Sequence, residues 1–278
     1  MIYFLKKYVP KGLWQAATGI WRRLLDIFAG LGPALCTKYY CDLILYYNRG
    51  NNIIRRLKHE PIYEKKMCEA IVIELNKSKR PVFMDIGANL GLISAYIISM
   101  VPNVFIYAFE PGRVSRDYFN MTVKRNNLEN SIKVCDKALG NHSGQEVFHL
   151  HLPRDAGKDG FMDTGRGGKI CSTLVPVTTL DAWWTNEDRP AVNVVKIDTE
   201  GAELWVLQGG REFLKYYHPV VFLEIEPRNL RAYPYDHRDI LDFFLENNYV
   251  LHNLDNQEVT RINFSDFLAL GEDTYVAY

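Results

Sequence analysis

Residues Val82-Phe83-Met84-Asp85-Ile86-Gly87-Ala88-Asn89-Leu90-Gly91 run from an apolar segment into a glycine-rich turn, and the apolar stretch 90–100 follows. A short apolar run that ends in a turn indicates a buried strand, and the longer run after it indicates a helix. Glycine is needed where the backbone turns sharply or lies close to a ligand, and the first turn of a helix offers unpaired N–H groups. The stretch therefore predicts a strand, a turn and a helix that together bind a nucleotide-like ligand.

The same alternation continues to the C-terminus. We predict strands over 82–86, 104–109, 132–136, 192–198, 220–226, 249–253 and 274–278. Helices are predicted over 90–100, 113–126, 202–217 and 238–247. Strands separated by helices of this length form βαβ units with right-handed crossovers. The fold class is therefore α/β, a Rossmann-like, doubly wound and mainly parallel sheet.

The rhythm changes between Gly144 and Trp184. Two further strands, 146–152 and 173–177, are predicted to pair as a hairpin-like insertion. Between them lies the polar, glycine-rich segment 153–170, which carries the basic residues Arg154, Lys158, Arg166 and Lys169. A long segment without regular structure is typically a lid, a binding loop or disordered. We interpret it as a lid that contacts an acidic or phosphorylated acceptor, and a solvated loop is the alternative.

Residues 1–78 are predicted to form a helical extension that precedes the domain 79–278. Within the extension, 13–28 has an apolar face with two tryptophans, flanked by lysines and arginines. This composition is typical of a helix in a membrane interface, which predicts membrane-surface contact through residues 11–28. The alternative is a helix packed on the domain or on a second subunit, so a homo-oligomer also stays possible.

Composition narrows the class of protein. The chain has 278 residues, with 33 basic and 33 acidic ones, so no global charge steers it toward nucleic acid, and we expect no nucleic-acid partner. Its five cysteines are odd in number and include no Cys-x-x-Cys pair, which suits a reducing compartment. We expect no transmembrane helix, and lysines interrupt the N-terminal apolar run of a signal peptide. The expected location is the cytoplasm, with peripheral membrane attachment as an open possibility.

The turn itself discriminates between nucleotides. A dinucleotide fingerprint has glycine where this sequence has Asn89, and that glycine allows the close approach of a pyrophosphate. S-adenosylmethionine (SAM) has no phosphate, and it needs one acid near its methionine end and another at its ribose. Asp85 fits the first position, and Glu110, at the end of the second strand, fits the second. The predicted cofactor site consists of Asp85, Gly87, Ala88, Asn89, Gly91, Glu110, Asp136 and Lys137.

Asp136 and Lys137 follow the third strand of the sheet. Asp136 is placed to accept from the adenine amino group, although a solvated carboxylate at the end of a strand is an equal alternative. An NAD(P)-dependent oxidoreductase is disfavoured by Asn89. A noncatalytic SAM- or nucleotide-binding module is the other alternative, and the retained acids Asp85, Glu110 and Asp198 speak against it.

The sequence resembles the FkbM family of SAM-dependent O-methyltransferases. The likeness lies in 85–91, in 109–111, in Thr179-Leu180-Asp181 and above all in 196–203, Lys-Ile-Asp-Thr-Glu-Gly-Ala-Glu. Tyr63-Glu64 also resembles a segment that precedes the first strand in such enzymes. The resemblance covers roughly residues 60 to 255 and implies a class I methyltransferase fold. It further implies methyl transfer to a hydroxyl, often on a sugar or a glycosylated metabolite.

Methyl transfer to a hydroxyl needs a group that positions the acceptor oxygen and takes its proton. We predict Asp198 as the general base or orienting group, followed by Glu200 and Glu226. A carboxylate at the N-terminus of a helix is the alternative for Glu200. Glu224 and Glu226 are predicted to share a strand face, where their mutual repulsion raises one pKa or attracts a divalent ion.

A metal-assisted mechanism is therefore possible but not favoured, and loss of turnover in EDTA is its test. No metal ligand is assigned. His149 and His151 form a His-x-His pair without a third ligand, His237 is an alternative base, and His218 is expected to be structural.

Overall fold

A seven-stranded sheet forms the centre of the computed structural model, which describes residues 35–48, 50–151, 156–166, 168, 170–269 and 273–278. In chain order its strands are β3 (Val82–Ile86), β4 (Phe105–Phe109), β5 (Ile132–Cys135), β9 (Val194–Ile197), β10 (Val220–Glu224), β11 (Leu251–Asn253) and β12 (Thr274–Ala277). In space their order is β11-β12-β10-β9-β3-β4-β5. All seven predicted strands are confirmed.

The five strands β5, β4, β3, β9 and β10, in spatial order, are parallel to one another, whereas β12 is antiparallel to both β10 and β11. The direction of winding reverses between β3 and β9, because β4 and β5 lie to one side of β3 and β9 and β10 to the other. In open α/β sheets, ligands bind outside the carboxyl ends of the strands at such a reversal. The predicted doubly wound, mainly parallel sheet is confirmed.

Helices cover both faces of this sheet, and the sheet lies between two hydrophobic cores. They are α1 (Asn52–Arg56), α2 (Lys65–Leu75), α3 (Leu92–Met100), α4 (Arg113–Arg125), α5 (Leu180–Asn186), α6 (Glu203–Gln208), α7 (Arg211–Tyr217), α8 (Pro227–Leu230), α9 (His237–Glu246) and α10 (Phe264–Ala269). Every residue of β9 is buried, as expected for a parallel strand that is covered on both sides. The helix predicted over 202–217 is two helices, α6 and α7, which meet at Gly209 and Gly210. Gly209 lies against the carbonyl of Gly140, where a side chain would not fit.

A second, three-stranded sheet confirms the predicted insertion. β7 (Gly144–His151) and β8 (Ile170–Thr178) pair antiparallel over eight positions, and β8 also pairs with the short strand β6 (Ala138–Leu139). A bridge between His149 and Gly160 attaches the intervening segment to β7. We call the described part of this segment, residues 156–166, the β7–β8 loop; it begins with one 3₁₀ turn, Ala156–Lys158.

The helical reading of residues 35–48 is wrong. They form an antiparallel hairpin of β1 (Leu35–Tyr40) and β2 (Leu43–Asn48). β1 alternates between exposed and less exposed residues, the two-residue period of a strand, and β2 contains adjacent tyrosines that suit a sheet better than a helix. The amphipathic helix predicted over 13–28 lies outside the described residues. The boundary at residue 78 stays a prediction. No helix among the described residues is long and apolar enough to cross a membrane.

Candidate active site

A cavity of about 350 Å³ opens at the carboxyl ends of β3, β4, β9 and β10. It therefore lies at the reversal between β3 and β9, the place where the topology predicts a ligand. The predicted site residues that line it are Gly87, Ala88, Asn89, Glu110, Lys137, Asp198 and Glu200. The parallel strands thus bring to one cavity residues that are far apart along the chain.

The glycine turn after β3 is held against both neighbouring strands. Gly87 N and Ala88 N donate to the carbonyl of Phe109 at 3.0 Å, and Asp198 N donates to the carbonyl of Ile86 at 3.0 Å. Gly87 has φ +81°, and a Cβ at this position would lie 1.8 Å from the Asp198 carbonyl oxygen. Only glycine fits here, because the backbone of the turn packs directly on the end of β9.

Asn89 explains why the turn departs from the dinucleotide pattern. It adopts φ +50°, a left-handed conformation that asparagine tolerates better than most residues. Its N–H donates to Glu110 Oε2 at 2.8 Å. Gly91 has φ +74° and caps α3, but its Cα faces the ring of Phe119 rather than the cavity. Of the predicted turn residues, Gly91 therefore serves the packing of helices, and the other three line the site.

Glu110 is buried at the end of β4 and accepts backbone N–H groups with both of its oxygens. The second bond comes from Gly112 N to Oε1 at 2.7 Å. Burial raises the pKa of Glu110 to about 7, against the lowering effect of the N–H groups of Gly112 and Asn89. Each carboxyl oxygen has further lone pairs, so Glu110 is fixed in orientation and still able to accept from a ligand in the cavity.

Asp85 has a different position from the one predicted. It is completely buried and does not line the cavity. Ser94 Oγ donates to its Oδ2 at 2.6 Å, and Lys196 Nζ lies 3.5 Å from its Oδ1. Asp85 is therefore not placed to contact a ligand in the cavity, and it instead forms a buried ion pair with Lys196.

Lys196 connects the buried Asp85 with two groups at the cavity, Asp198 and the backbone of Gly87. Its Nζ donates to Asp198 Oδ2 at 3.1 Å and to the carbonyl of Gly87 at 3.2 Å. Burial lowers the pKa of Lys196, but the carboxylates of Asp198 and Asp85 outweigh that effect and hold it above its usual range. The buried ammonium therefore keeps its charge and orients Asp198 toward the cavity.

Three further carboxyl groups surround Asp198, namely those of Glu64, Glu200 and Glu224. Burial, followed by the charge of Asp198, raises the pKa of each: to about 7 for Glu64, to about 8 for Glu200, and well above the usual range for Glu224. Like charges at short range in a low dielectric cannot all ionise together. Burial and the charge of Asp198 therefore both favour the neutral form of these three carboxyl groups.

Glu200 is held by the β7–β8 loop. Its Oε2 accepts from Arg166 Nη1 at 2.9 Å and from Asn229 Nδ2 at 2.7 Å, while Arg166 also donates to Asn229 Oδ1 at 2.6 Å. Glu203 organises the turn that carries Glu200, because its Oε1 accepts from Thr199 N, Thr199 Oγ1 and Gly201 N. The block 196–203 is thus a set of mutually supporting side chains that presents Asp198 and Glu200.

Some predicted residues are not brought into the cavity. Glu226 caps the short helix α8 by accepting from Arg228 N at 3.1 Å, and it pairs with the Arg228 guanidinium at 2.7 Å. The strand β10 ends at Glu224, so Glu224 and Glu226 do not share a strand face. Asp136 is exposed and does not line the cavity.

The predicted histidines and basic residues are dispersed. His237 Nε2 contacts Ser265 Oγ, His218 stacks on Tyr249, and His149 Nδ1 contacts Ser172 Oγ. Lys158 and Arg166 line the cavity, whereas Arg154 and Lys169 lie outside the described residues. Among the described residues, no group of three or more His, Cys, Asp or Glu side chains has the arrangement of a metal site.

The cavity residues that sequence reasoning did not assign to the site include Tyr63, Glu64, Asp159 and Lys196. Glu64 adopts the left-handed conformation φ +46°, which is strained for a glutamate and places it at the start of α2. Tyr63-Glu64 carries a signal, since the pair resembles a segment of the FkbM enzymes. Asp159 carries none, because a single acid in a glycine-rich loop reads as a solvated side chain.

A reversal-point cavity with a glycine turn and a buried acid on the next strand defines the class as nucleoside-binding α/β enzymes. Residues 85–251 match the family described as the methyltransferase FkbM domain. This match spans more than half of the chain, which therefore belongs to the FkbM methyltransferase family and has the class I methyltransferase fold. SAM is the cofactor general to that family.

The chain is similar to the methyltransferase sdnD of Sordaria araneosa, with 25% identity over 218 residues that cover 68% of this chain and 82% of that protein. Among solved structures it is similar to the methyltransferase FkbM from Methylobacillus flagellatus KT, with TM-score 0.46, 18% identity and 71% of this chain covered. It spans 43% of that chain. It is also similar to a putative caffeoyl-CoA O-methyltransferase from Staphylococcus aureus, with TM-score 0.45, 9% identity, and 82% and 92% of the two chains covered.

The raised carboxyl pKa values make stability depend on pH in an unusual direction. Glu64, Glu110, Asp159 and Glu200 have pKa values of about 7 to 8 when folded, well above those of the unfolded chain. The folded state then binds more protons, so this contribution is complete below the unfolded pKa values and is lost as pH rises through 7 to 8. We expect Tm, measured by calorimetry without ligand, to fall as pH rises from about 5 to about 8 and to level off above that. Glu200→Gln should flatten the fall, and a Tm that rises over this interval would contradict the shifts.

Proposed function

We propose that this protein is a SAM-dependent O-methyltransferase that acts on a hydroxyl of a sugar or of a glycosylated or lipid-linked acceptor. The observation that carries the proposal is the position of Asp198, which faces the same cavity as the glycine turn and Glu110 and is held there by Lys196. Family membership supports methyl transfer, and the saccharide acceptor rests on the resemblance alone.

The residues of the cavity suit SAM. Gly87 and Ala88 supply a backbone surface without side-chain obstruction, and Glu110 supplies a fixed acceptor for ribose hydroxyls. The volume of about 350 Å³ lies in the range of small-molecule sites. The excess of carboxyl groups near Asp198 favours a cationic ligand over a phosphate-bearing one. When bound, SAM supplies a methyl group that is already activated by its positive sulfur.

The chain supplies positioning and a proton acceptor. Asp198 is the carboxylate that accepts the proton of the attacking hydroxyl as the new O–CH₃ bond forms and the S–CH₃ bond breaks. Lys196 orients Asp198 through the contact between its Nζ and Asp198 Oδ2, and Glu200 and Glu224 lie next to it with raised pKa values. Arg166 fixes Glu200 and so limits the space in which an acceptor is oriented. These contacts contribute to the rate mainly through placement.

The test has two stages. Calorimetry with SAM and S-adenosylhomocysteine measures cofactor binding, and transfer of a labelled methyl group to a panel of free, nucleotide-linked and lipid-linked glycans then measures activity. We expect binding and transfer to a hydroxyl. A chain that binds neither nucleoside overturns the cofactor assignment, and transfer to nitrogen or carbon overturns the O-methyl assignment.

A further inference from the structure

Asp159, in the β7–β8 loop, lies on the cavity but has no part in the function proposed above. Its Oδ1 accepts from the backbone N–H of His151 at 2.7 Å, and the adjoining Gly160 is bridged to His149. Its side chain is only 10% exposed. Asp159 is therefore fixed by the second sheet rather than displayed at a loop tip.

Asp159 faces the end of β4. Its Oδ2 lies 3.5 Å from the position that a Cβ on Gly112 would occupy, and the N–H of Gly112 is bonded to Glu110. Asp159 and Glu110 both line the cavity. Two acids, one at the end of β4 and one in the β7–β8 loop, thus converge on the cavity.

The pairing of two buried acids restricts the chemistry of a ligand between them. Burial raises the pKa of Asp159 to about 8, with Glu110 adding to the effect and the His151 N–H opposing it. A carboxyl group that holds its proton both donates and accepts hydrogen bonds. An anionic phosphate is disfavoured beside two acids, whereas a neutral group with hydroxyl and amino functions has complementary partners.

The wall beside these acids is apolar and aromatic. Phe148 and Phe161 pack edge to face with centroids 5.8 Å apart, and both line the cavity with Ala138 and Leu139. Such a surface suits a flat heterocycle whose polar edge reaches a carboxyl group. At its other end the same loop directs Arg166 to Glu200 and Asn229, so that guanidinium is already engaged by the chain's own groups.

We propose that Asp159 is a nucleoside-recognising residue, and that the β7–β8 loop therefore contacts the nucleoside of the cofactor in addition to any acceptor. This inference rests on the proposed function, because it places the nucleoside of SAM between Asp159 and Glu110. It adds to the cofactor site a residue from an insertion that lies outside the central sheet.

The test compares Asp159→Ala and Asp159→Asn with Asp163→Asn. Asp163 is an exposed residue of the same loop whose carboxylate accepts only from Gly165 N among the bonds of the described residues, so it controls for the loss of a loop charge. Calorimetry measures the Kd of S-adenosylhomocysteine and of adenosine. We expect Asp159→Ala to raise both values about tenfold or more, Asp159→Asn to raise them less, and Asp163→Asn to leave them unchanged.

Equal weakening of the two ligands assigns Asp159 to the nucleoside. A Kd of Asp159→Ala within about twofold of wild type overturns the inference, and so does weakening of S-adenosylhomocysteine without weakening of adenosine. If Asp159→Ala does not fold, Asp159→Asn decides through the pH profile. Wild-type affinity should fall above pH 8, beyond any change due to Glu110 and His151, which face Asp159 in both proteins; identical profiles overturn the inference. Failure of the wild type to bind either ligand counts instead against the proposed function.

Discussion

Asp198→Asn should lower kcat about 10²- to 10⁴-fold, the usual contribution of a positioned proton acceptor. The amide keeps the shape of the carboxylate and an oxygen for Lys196, whose ammonium stays paired with Asp85. The fold is therefore expected to persist, and the Kd of SAM should change by no more than about threefold because the loss falls on the transition state. Single-turnover methyl transfer and calorimetry measure the two quantities separately.

Glu226→Gln is the matched control for this prediction. It makes the same chemical change in a neighbouring acid that the sequence also suggests as catalytic, but Glu226 caps α8 and pairs with Arg228 outside the cavity. We expect kcat to stay near the wild-type value and the free energy of unfolding to fall by about 0.5 to 2 kcal/mol, the cost of a weakened cap. Equal losses of kcat in the two variants would count against Asp198 as the proton acceptor.

Gly87→Ala should unfold the turn and abolish cofactor binding. The added methyl would lie 1.8 Å from the carbonyl oxygen of Asp198, a backbone atom that cannot move without displacing β9 from β3. A left-handed φ alone costs a non-glycine residue about 1 to 2 kcal/mol. The overlap adds to that cost, and we expect a total loss of unfolding free energy of about 4 kcal/mol or more.

Gly50→Ala separates the two contributions. Gly50 has φ +90°, close to that of Gly87, but no atom of the described residues lies within 4 Å of an added Cβ. Urea unfolding of this variant should therefore show only the conformational cost of about 1 to 2 kcal/mol. If Gly87→Ala were no less stable than Gly50→Ala, the close approach of the turn to β9 would not exist as described.

The central sheet could be predicted from the sequence because its strands obey simple local rules. β9, Val194–Ile197, is buried on both faces, and its residues are apolar except for Lys196. The hairpin at 35–48 could not be predicted in the same way. Its tyrosines favour a strand, but its leucines are also common in helices, and the hairpin is stabilised by its contacts with α4.

Some residues of the site could also be predicted from the sequence, and others could not. Glu110 and Asp198 were predictable because each ends a parallel strand, and the carboxyl ends of such strands meet at one edge of a sheet. The burial of Asp85 under Lys196 was not, since nothing local distinguishes an acid that supports a lysine from one that contacts a ligand. Asp159 could not be predicted either, because its hydrogen bond from the N–H of His151 depends on how the β7–β8 loop folds onto β7. Glu226 was assigned to the site because a strand was predicted to run to residue 226, whereas the strand ends at Glu224 and Glu226 caps α8.

Side chains at and just after the C-terminal end of α4 hydrogen-bond to the backbone of the hairpin at 35–48, as a neighbouring strand would. Asn126 both accepts from the N–H of Ile44 at 3.0 Å and donates to its carbonyl at 2.9 Å, and Thr122 Oγ1 accepts from Tyr46 N at 3.0 Å. An amide side chain thereby occupies hydrogen-bonding positions of β2 that would otherwise be open to another chain. A fragment starting at residue 79 would lack the hairpin altogether, and the apolar side chains of α4 that pack against Tyr40 and Leu45 would be exposed. Such a fragment should therefore be prone to self-association.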